Sequence, residues 1–182
     1  MFEGHISLVF SIDFSPDGRS LVSCSTYGCV RIWNVRDGSS RKLSDTDMHG
    51  INSVAISPDG RYVAAAGEDC KLRIWDFRRG KLVERWKPKG NARSVCSVVF
   101  TSDGKGLLSG GDDHNLRFWD ISSLTANQSP STRISQGSDT VDGEKDPKLT
   151  LLGHTVCSFL KISSCWPYIP LTGVYYVYFY LS

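Results

Sequence analysis

Several common features are scarce or missing in this sequence, and each absence removes a class of explanation. The 182-residue chain has only 2 methionines and 4 histidines. It has no C-x-x-C pair, no H-E-x-x-H signature, no G-x-S-x-G elbow and no glycine-rich phosphate loop. Those gaps speak in turn against a zinc site, a zinc protease, a serine hydrolase and a nucleotide cradle. Charge is nearly balanced at +2, too little to call for a nucleic-acid or membrane partner by itself. The longest apolar stretch, 171–181, is about half the roughly 20 residues of a membrane-spanning helix. Residues 1–5 show neither the basic start nor the apolar run of a secretory signal. The six cysteines (24, 29, 70, 96, 157 and 165) are too sparse for a disulfide scaffold, and we read them as buried reduced thiols in the strands of an intracellular protein.

What is there is repetition. Residues 15–33 read SPDGRSLVSCSTYGCVRIW, residues 57–75 read SPDGRYVAAAGEDCKLRIW, and residues 101–119 read TSDGKGLLSGGDDHNLRFW. In each copy an Asp-Gly pair (Asp17, Asp59, Asp103) precedes a Trp (Trp33, Trp75, Trp119) by 16 positions, and the copies lie 42 and 44 residues apart. A period of this size marks a solenoid, a propeller or an array.

Each copy divides into strand-length apolar pieces separated by turn residues. In the first these are LVFSIDF (8–14), SLVSCS (20–25), CVRIWNV (29–35) and SSRKLSD (39–45). Asp-Gly between apolar runs signals a tight hairpin. The second copy gives INSVAIS, RYVAAAG, KLRIWDF and KLVERWK; the third gives RSVCSVVF, GLLSG, NLRFWDI and PKLTLLG. Four antiparallel strands per copy make a small sheet. Val54–Ile56 and Val63–Ala66 are apolar without alternation, so both faces of such a sheet need cover. Stacked four-stranded sheets supply it by curling into a propeller. The fold class expected is all-β: about three four-stranded blades and the start of a fourth.

These residues resemble the blades of WD-repeat propellers. The likeness rests on SPDGR…RIWN, SPDGR…RIWD and TSDG…RFWD, with Gly4-His5 and Gly153-His154 in phase, over residues 4 to about 154. The resemblance implies a buried His–Ser/Thr–Asp–Trp set in each blade, and an indole N–H buried there needs an acceptor. Here the set is partial. His5 and His154 lie 12 positions before the turn-Asp slot, whereas copies two and three carry Asp47 and Asn91 in that place. Asp69 and Asp113 fill the b–c turn position where copy one has Tyr27. We therefore expect apolar packing to do most of the holding. The domain reading is a partial propeller over 1–154, with blade one at 4–45, blade two at 46–88 and blade three at 89–153.

The rhythm breaks twice. Residues 122–146 are polar and rich in Ser, Thr, Gly and Asp, which predicts a disordered insert inside blade three. After His154 the chain turns aromatic, with Pro167 and Pro170 and no further Trp-Asp. We read 155–182 as foreign to the propeller and the whole as a fragment, with a truncated product lacking function as one open reading.

Candidate chemistry is thin. Gly-Asp-Asp-His at 111–114 fits a b–c turn better than a metal site, and RRGKLVERWKPK (78–89) fits an outer strand and loop better than a nucleic-acid groove. No catalytic residue, metal, cofactor, small-molecule substrate, direct nucleic-acid contact or membrane contact is expected; the reading is a non-enzymatic platform for protein partners. Order of segments and insert position make the third copy similar to the propeller of fungal Tup-type, Groucho-like transcriptional co-repressors. That likeness implies docking on DNA-bound transcription factors in the nucleus. Another WD-repeat adaptor, such as a ubiquitin-ligase substrate receptor, is the alternative. Partners of such propellers dock at the b–c and d–a loops, which points to Thr26, Tyr27, Glu68 and Asp112 as contact residues.

Overall fold

The computed structural model describes residues 2–43, 49–87, 93–126, 142–144 and 146–152. The first sheet holds β1 (Val9–Phe14), β2 (Ser20–Ser25), β3 (Val30–Asn34) and β4 (Ser40–Lys42), antiparallel and in chain order. The second repeats that order with β5 (Ile51–Ile56), β6 (Tyr62–Gly67), β7 (Leu72–Asp76) and β8 (Leu82–Lys87). The third has β9 (Val95–Phe100), β10 (Gly106–Gly111) and β11 (Asn115–Asp120). Between β11 and the outer strand of that sheet come α1 (Ser122–Ala126) and β12 (Asp142–Glu144); the outer strand itself is β13 (Leu149–Leu152). The chain is all-β in architecture and forms a partial propeller of three blades.

The strand registers say which side chains share a face. Val22 pairs with both Asp13 and Ile32, and the face they define packs on the second sheet. Val22, Val30 and Ile32 meet Val54, Ile56, Val63, Ala65 and Trp75 there. The opposite face of the second sheet presents Ala55, Ala64, Ala66, Leu72 and Ile74 to Val98, Phe100, Leu107 and Trp119 of the third. Val63, Ala64, Ala65 and Ala66 are all fully buried, as their unbroken apolar run predicts. Each large side chain enclosed this way contributes about 1.5–3 kcal/mol relative to exposure.

The innermost strands are also stitched by polar contacts that repeat. Val54 donates its backbone N–H to the Ser11 hydroxyl (3.4 Å), and Val98 donates to Ser53 (3.1 Å), one repeat further on. Ile56 donates to the Asp13 carboxylate at 2.8 Å. The outward face of the first sheet lacks a neighbouring sheet among the described residues. Ile12 and Phe14 stay about half exposed there, at 45% and 55%.

Two expectations need correction. The segment 122–146 is not irregular at its ends. Asp120 accepts from the Ser122 N–H (2.8 Å) and hydroxyl (2.6 Å), starting α1; Leu124 then packs against the core, and its carbonyl accepts from the Tyr62 hydroxyl at 2.9 Å. Polar composition hid the one apolar anchor. At the far end β12 joins the second sheet, giving it five strands rather than four. The cysteines also differ from expectation. Cys24 is buried in β2, but Cys29 and Cys70 are half-buried in turns, and Cys96 is half-buried in β9. Residues 127–141 of the insert, the slots at 47 and 91, His154 and the whole of 155–182 lie outside the described residues.

Candidate functional site

The repeated Asp-Gly does more than bend the chain. Ser15, Ser57 and Thr101 each donate a hydroxyl hydrogen to Asp17, Asp59 and Asp103, at 2.6, 2.6 and 2.5 Å. Each carboxylate also accepts the backbone N–H two residues on, from Arg19, Arg61 and Lys105, at 3.0 Å in all three copies. Each hydroxyl accepts in return from the first residue of the next strand, Ser20, Tyr62 or Gly106, at 2.9 Å. The glycines at 18, 60 and 104 take φ of 68°, 69° and 68°, the left-handed region that a side chain disfavours. These contacts hold the Asp17 and Asp103 carboxyls below their ordinary range, first through the Ser15 and Thr101 hydroxyls. Such turns organise backbone; they offer no catalytic group.

The Trp–Ser bond of that set is present in copies one and three, and only copy one adds the His. Trp33 donates its indole N–H to Ser23 at 2.7 Å, and the same hydroxyl lies 2.5 Å from His5 Nε2. Trp119 donates to Ser109 at 2.8 Å. In copy two the corresponding residue is Ala65, although Trp75 is as deeply buried as Trp119. Phe2 and His5 lie against the Trp33 ring, each at 5.7 Å between centroids, so the N-terminal segment covers part of the outward face. Burial, and then the charge of Arg31, pulls the His5 pKa below its ordinary value.

At the other end of the sheets the b–c turns stand in series. Position 28, 70 or 114 closes each turn with φ of 66°, 63° and 62°; Gly28 does so freely, whereas Cys70 and His114 carry the strain of a side chain there. Asp69 and Asp113 do not remain available to a ligand. Asp69 grips Arg73, whose side chain is completely enclosed, with one contact at 3.1 Å. Asp113 pairs with Arg117 at 2.6 Å. Burial works against the Asp113 charge, but the Arg117 guanidinium and the Asn115 N–H outweigh it and keep the carboxyl below its usual range. Copy one places Tyr27 where the acid would be, so Arg31 turns instead to the Ser40 hydroxyl (2.9 Å) and the Trp33 ring (5.8 Å).

Sequence reasoning missed these arginines. The signal was present, since R-I-W, R-I-W and R-F-W each hold an Arg four residues after the b–c slot. A charge inside an apolar strand reads as noise until its partner is placed.

The four expected contact residues fall on this end. Tyr27 is 58% exposed, Glu68 is exposed, and Thr26 and Asp112 are half-buried. Their backbones are anchored: Thr26, Glu68 and Asp112 donate N–H groups to Leu8, Gly50 and Ser94 carbonyls at 3.2, 2.9 and 2.9 Å. Asp112 also lies 3.1 Å from the Cys96 thiol. Blades two and three are close enough here for their charges to interact: burial, then Asp69, Asp113 and Asp112 among nearby carboxylates, pushes the Cys70 thiol up, against Lys87. No group of three or more potential metal ligands occurs among the described residues. No helix among them is long and apolar enough to cross a membrane.

Comparison with known proteins agrees with this geometry. A 38-residue stretch is 47% identical to POC1 centriolar protein homolog B of Xenopus laevis, covering 21% of this chain and 8% of that protein. Two solved structures, titled structure of U3-55K and crystal structure of RRP9 WD40 repeats, align with TM-scores of 0.68 and 0.65. Each is 18% identical over 85% of this chain, which spans 42% and 41% of their lengths; at that identity they report the fold. The WD domain, G-beta repeat family matches at residues 1–34, 41–76 and 81–120, and the chain belongs to it.

Proposed function

We propose that this chain is a docking platform whose b–c turns present Thr26, Tyr27, Glu68 and Asp112 to a protein partner. The observation behind the reading is the anchoring of these turns. Each is pinned at the backbone, and in two of them the inner acid is tied to an arginine, so the turns keep their shape before any partner arrives. A pre-formed surface of this kind loses little conformational freedom on binding. WD-repeat folds serve typically as scaffolds, and the hydroxyl that meets an imidazole, Ser23 beside His5, is occupied in accepting from the buried Trp33 indole. Likeness to the Tup-type co-repressors favours DNA-bound repressors as partners and the nucleus as the place of action. A different adaptor role is the second reading, favoured by the centriolar relative.

Charge reversal at Glu68 and Asp112 tests the surface. Affinity capture from nuclear extract with the wild-type chain should recover sequence-specific repressors, and Glu68→Lys with Asp112→Lys should lose them while the melting temperature holds. Recovery of ubiquitin-ligase or centriolar components instead moves the chain to the second reading. A parallel fall in melting temperature means that these two residues are scaffold.

A further inference from the structure

The outer edge of the second sheet carries a contact that the repeat does not require. β12 belongs by sequence to the segment between β11 and β13 of the third sheet, yet it pairs with β8 of the second. The pairing is parallel, with Asp142 opposite Arg85, Gly143 opposite Trp86 and Glu144 opposite Lys87. Two of the three register positions thus place an acidic residue across from a basic one.

The hold is nonetheless slight. Parallel pairing is the weaker kind, β12 has three residues, and it spans only half of the six-residue β8. A sheet edge in this state is a template for an incoming strand, and a segment of the same chain laid over it acts as a cover. The edge also belongs to the basic stretch RRGKLVERWKPK, which the repeat uses as its fourth strand without calling for basic residues. Its one acid, Glu84, accepts from the Trp86 indole at 3.0 Å and is occupied within the strand.

We infer that the β8 edge is a second docking site, which takes an extended acidic segment of a partner protein as a parallel strand, and that Asp142–Glu144 occupies it in cis until displaced. The site is a strand edge and not a turn, and although Lys87 lies within electrostatic reach of the Cys70 turn, peptide binding to the edge is read separately from partner capture at the b–c turns. Recognition combines main-chain ladder bonds with acids spaced two apart, matching Arg85 and Lys87. Because the resident strand is tethered, it competes at high effective concentration, so weakening it should raise affinity for a peptide in trans.

The test uses the full chain and a fluorescein-labelled peptide, Asp-Thr-Val-Asp-Gly-Glu-Lys-Asp, identical to residues 139–146. Anisotropy titrations compare wild type, Asp142→Lys with Glu144→Lys, and that double variant carrying Lys87→Glu as well. Opening the edge should tighten peptide binding by about tenfold or more, and adding Lys87→Glu should remove the gain. A peptide with Lys in place of its central Glu alone, keeping the Asp that faces Arg85, should then recover binding to the Lys87→Glu chain. Lys87 is exposed, and Lys87→Gln replaces the reversal if circular dichroism shows misfolding. Binding that ignores the β12 substitutions, or that ignores the charge at 87, overturns the inference. So does equal competition by single-stranded DNA, which would mark the strip as a general polyanion surface.

Discussion

Replacing Ser109 with Ala removes a single oxygen from the third blade, and the surroundings of that oxygen set the cost. Trp119 is fully buried, and its indole N–H donates to the Ser109 hydroxyl at 2.8 Å. Ser109 is itself buried at 3% exposure, so water does not readily replace the lost acceptor. A buried donor left without a partner costs about 1–3 kcal/mol. For a chain of this size each kcal/mol lowers the melting temperature by roughly 2–4 °C, so a fall of roughly 2–12 °C is expected. The decisive assay is a double-mutant cycle in guanidinium, because Trp119→Phe removes the donor along with part of the stack on Trp86, whose centroid is 6.0 Å away. In the Trp119→Phe background, Ser109→Ala should cost at least about 1 kcal/mol less than it does in wild type, since no indole N–H is left to orphan. Equal losses in both backgrounds would show that the hydroxyl serves something other than the indole, and the account of the Trp set would fail with it.

Other perturbations read different contacts. Tyr27→Asp gives Arg31 the acid that Arg73 and Arg117 already possess, and thermal melts should show a gain of about 0.5–1 kcal/mol; no gain means that the Ser40 bond and the Trp33 ring already satisfy Arg31. Gly67→Ala would set a Cβ 2.0 Å from the Gly50 carbonyl oxygen, against backbone, and should lower stability by about 1–3 kcal/mol in urea. His5 has a folded pKa below its ordinary 6.5, so the unfolded chain takes up the proton first as pH falls. Stability is then full above about pH 6.5 and declines below it, and His5→Gln should flatten that slope in melts between about pH 7.5 and 5.5. A slope unchanged by the substitution assigns the effect elsewhere.

The contrast between Val63–Ala66 and Gly67 shows where the sequence is legible. An apolar run without alternation has one physical meaning in a short strand, burial on both faces, and together with a 42-residue period it dictates stacked sheets. Asp17, Asp59 and Asp103 were equally readable, because hydroxyl, carboxylate and glycine all act within a few residues of one another. Gly67 and Gly111 read only as strand ends. Their reason is the close approach of Gly50 and Ser94 on the neighbouring segment, 17 residues earlier in both cases, and nothing local announces it. The same holds for the arginines, whose meaning depends on the turn folding an acid back over them.

β12 marks the harder limit. Asp-Gly-Glu within a polar segment has no periodicity and no apolar face, so local pattern assigns it to a loop. It becomes a strand by pairing with the backbone edge that β8 supplies, which is a fact about a different blade. The repeat that makes the fold readable also hides this contact, since four strands per blade already satisfy the period. Departures from a strong internal period are therefore where function beyond the scaffold should be sought. Among the described residues they include the Tyr27 substitution in the first b–c turn, Ala65 in the Trp set, and the extra strand on the second sheet. Of these, only the extra strand brings an additional segment of chain to an edge able to accept a different one.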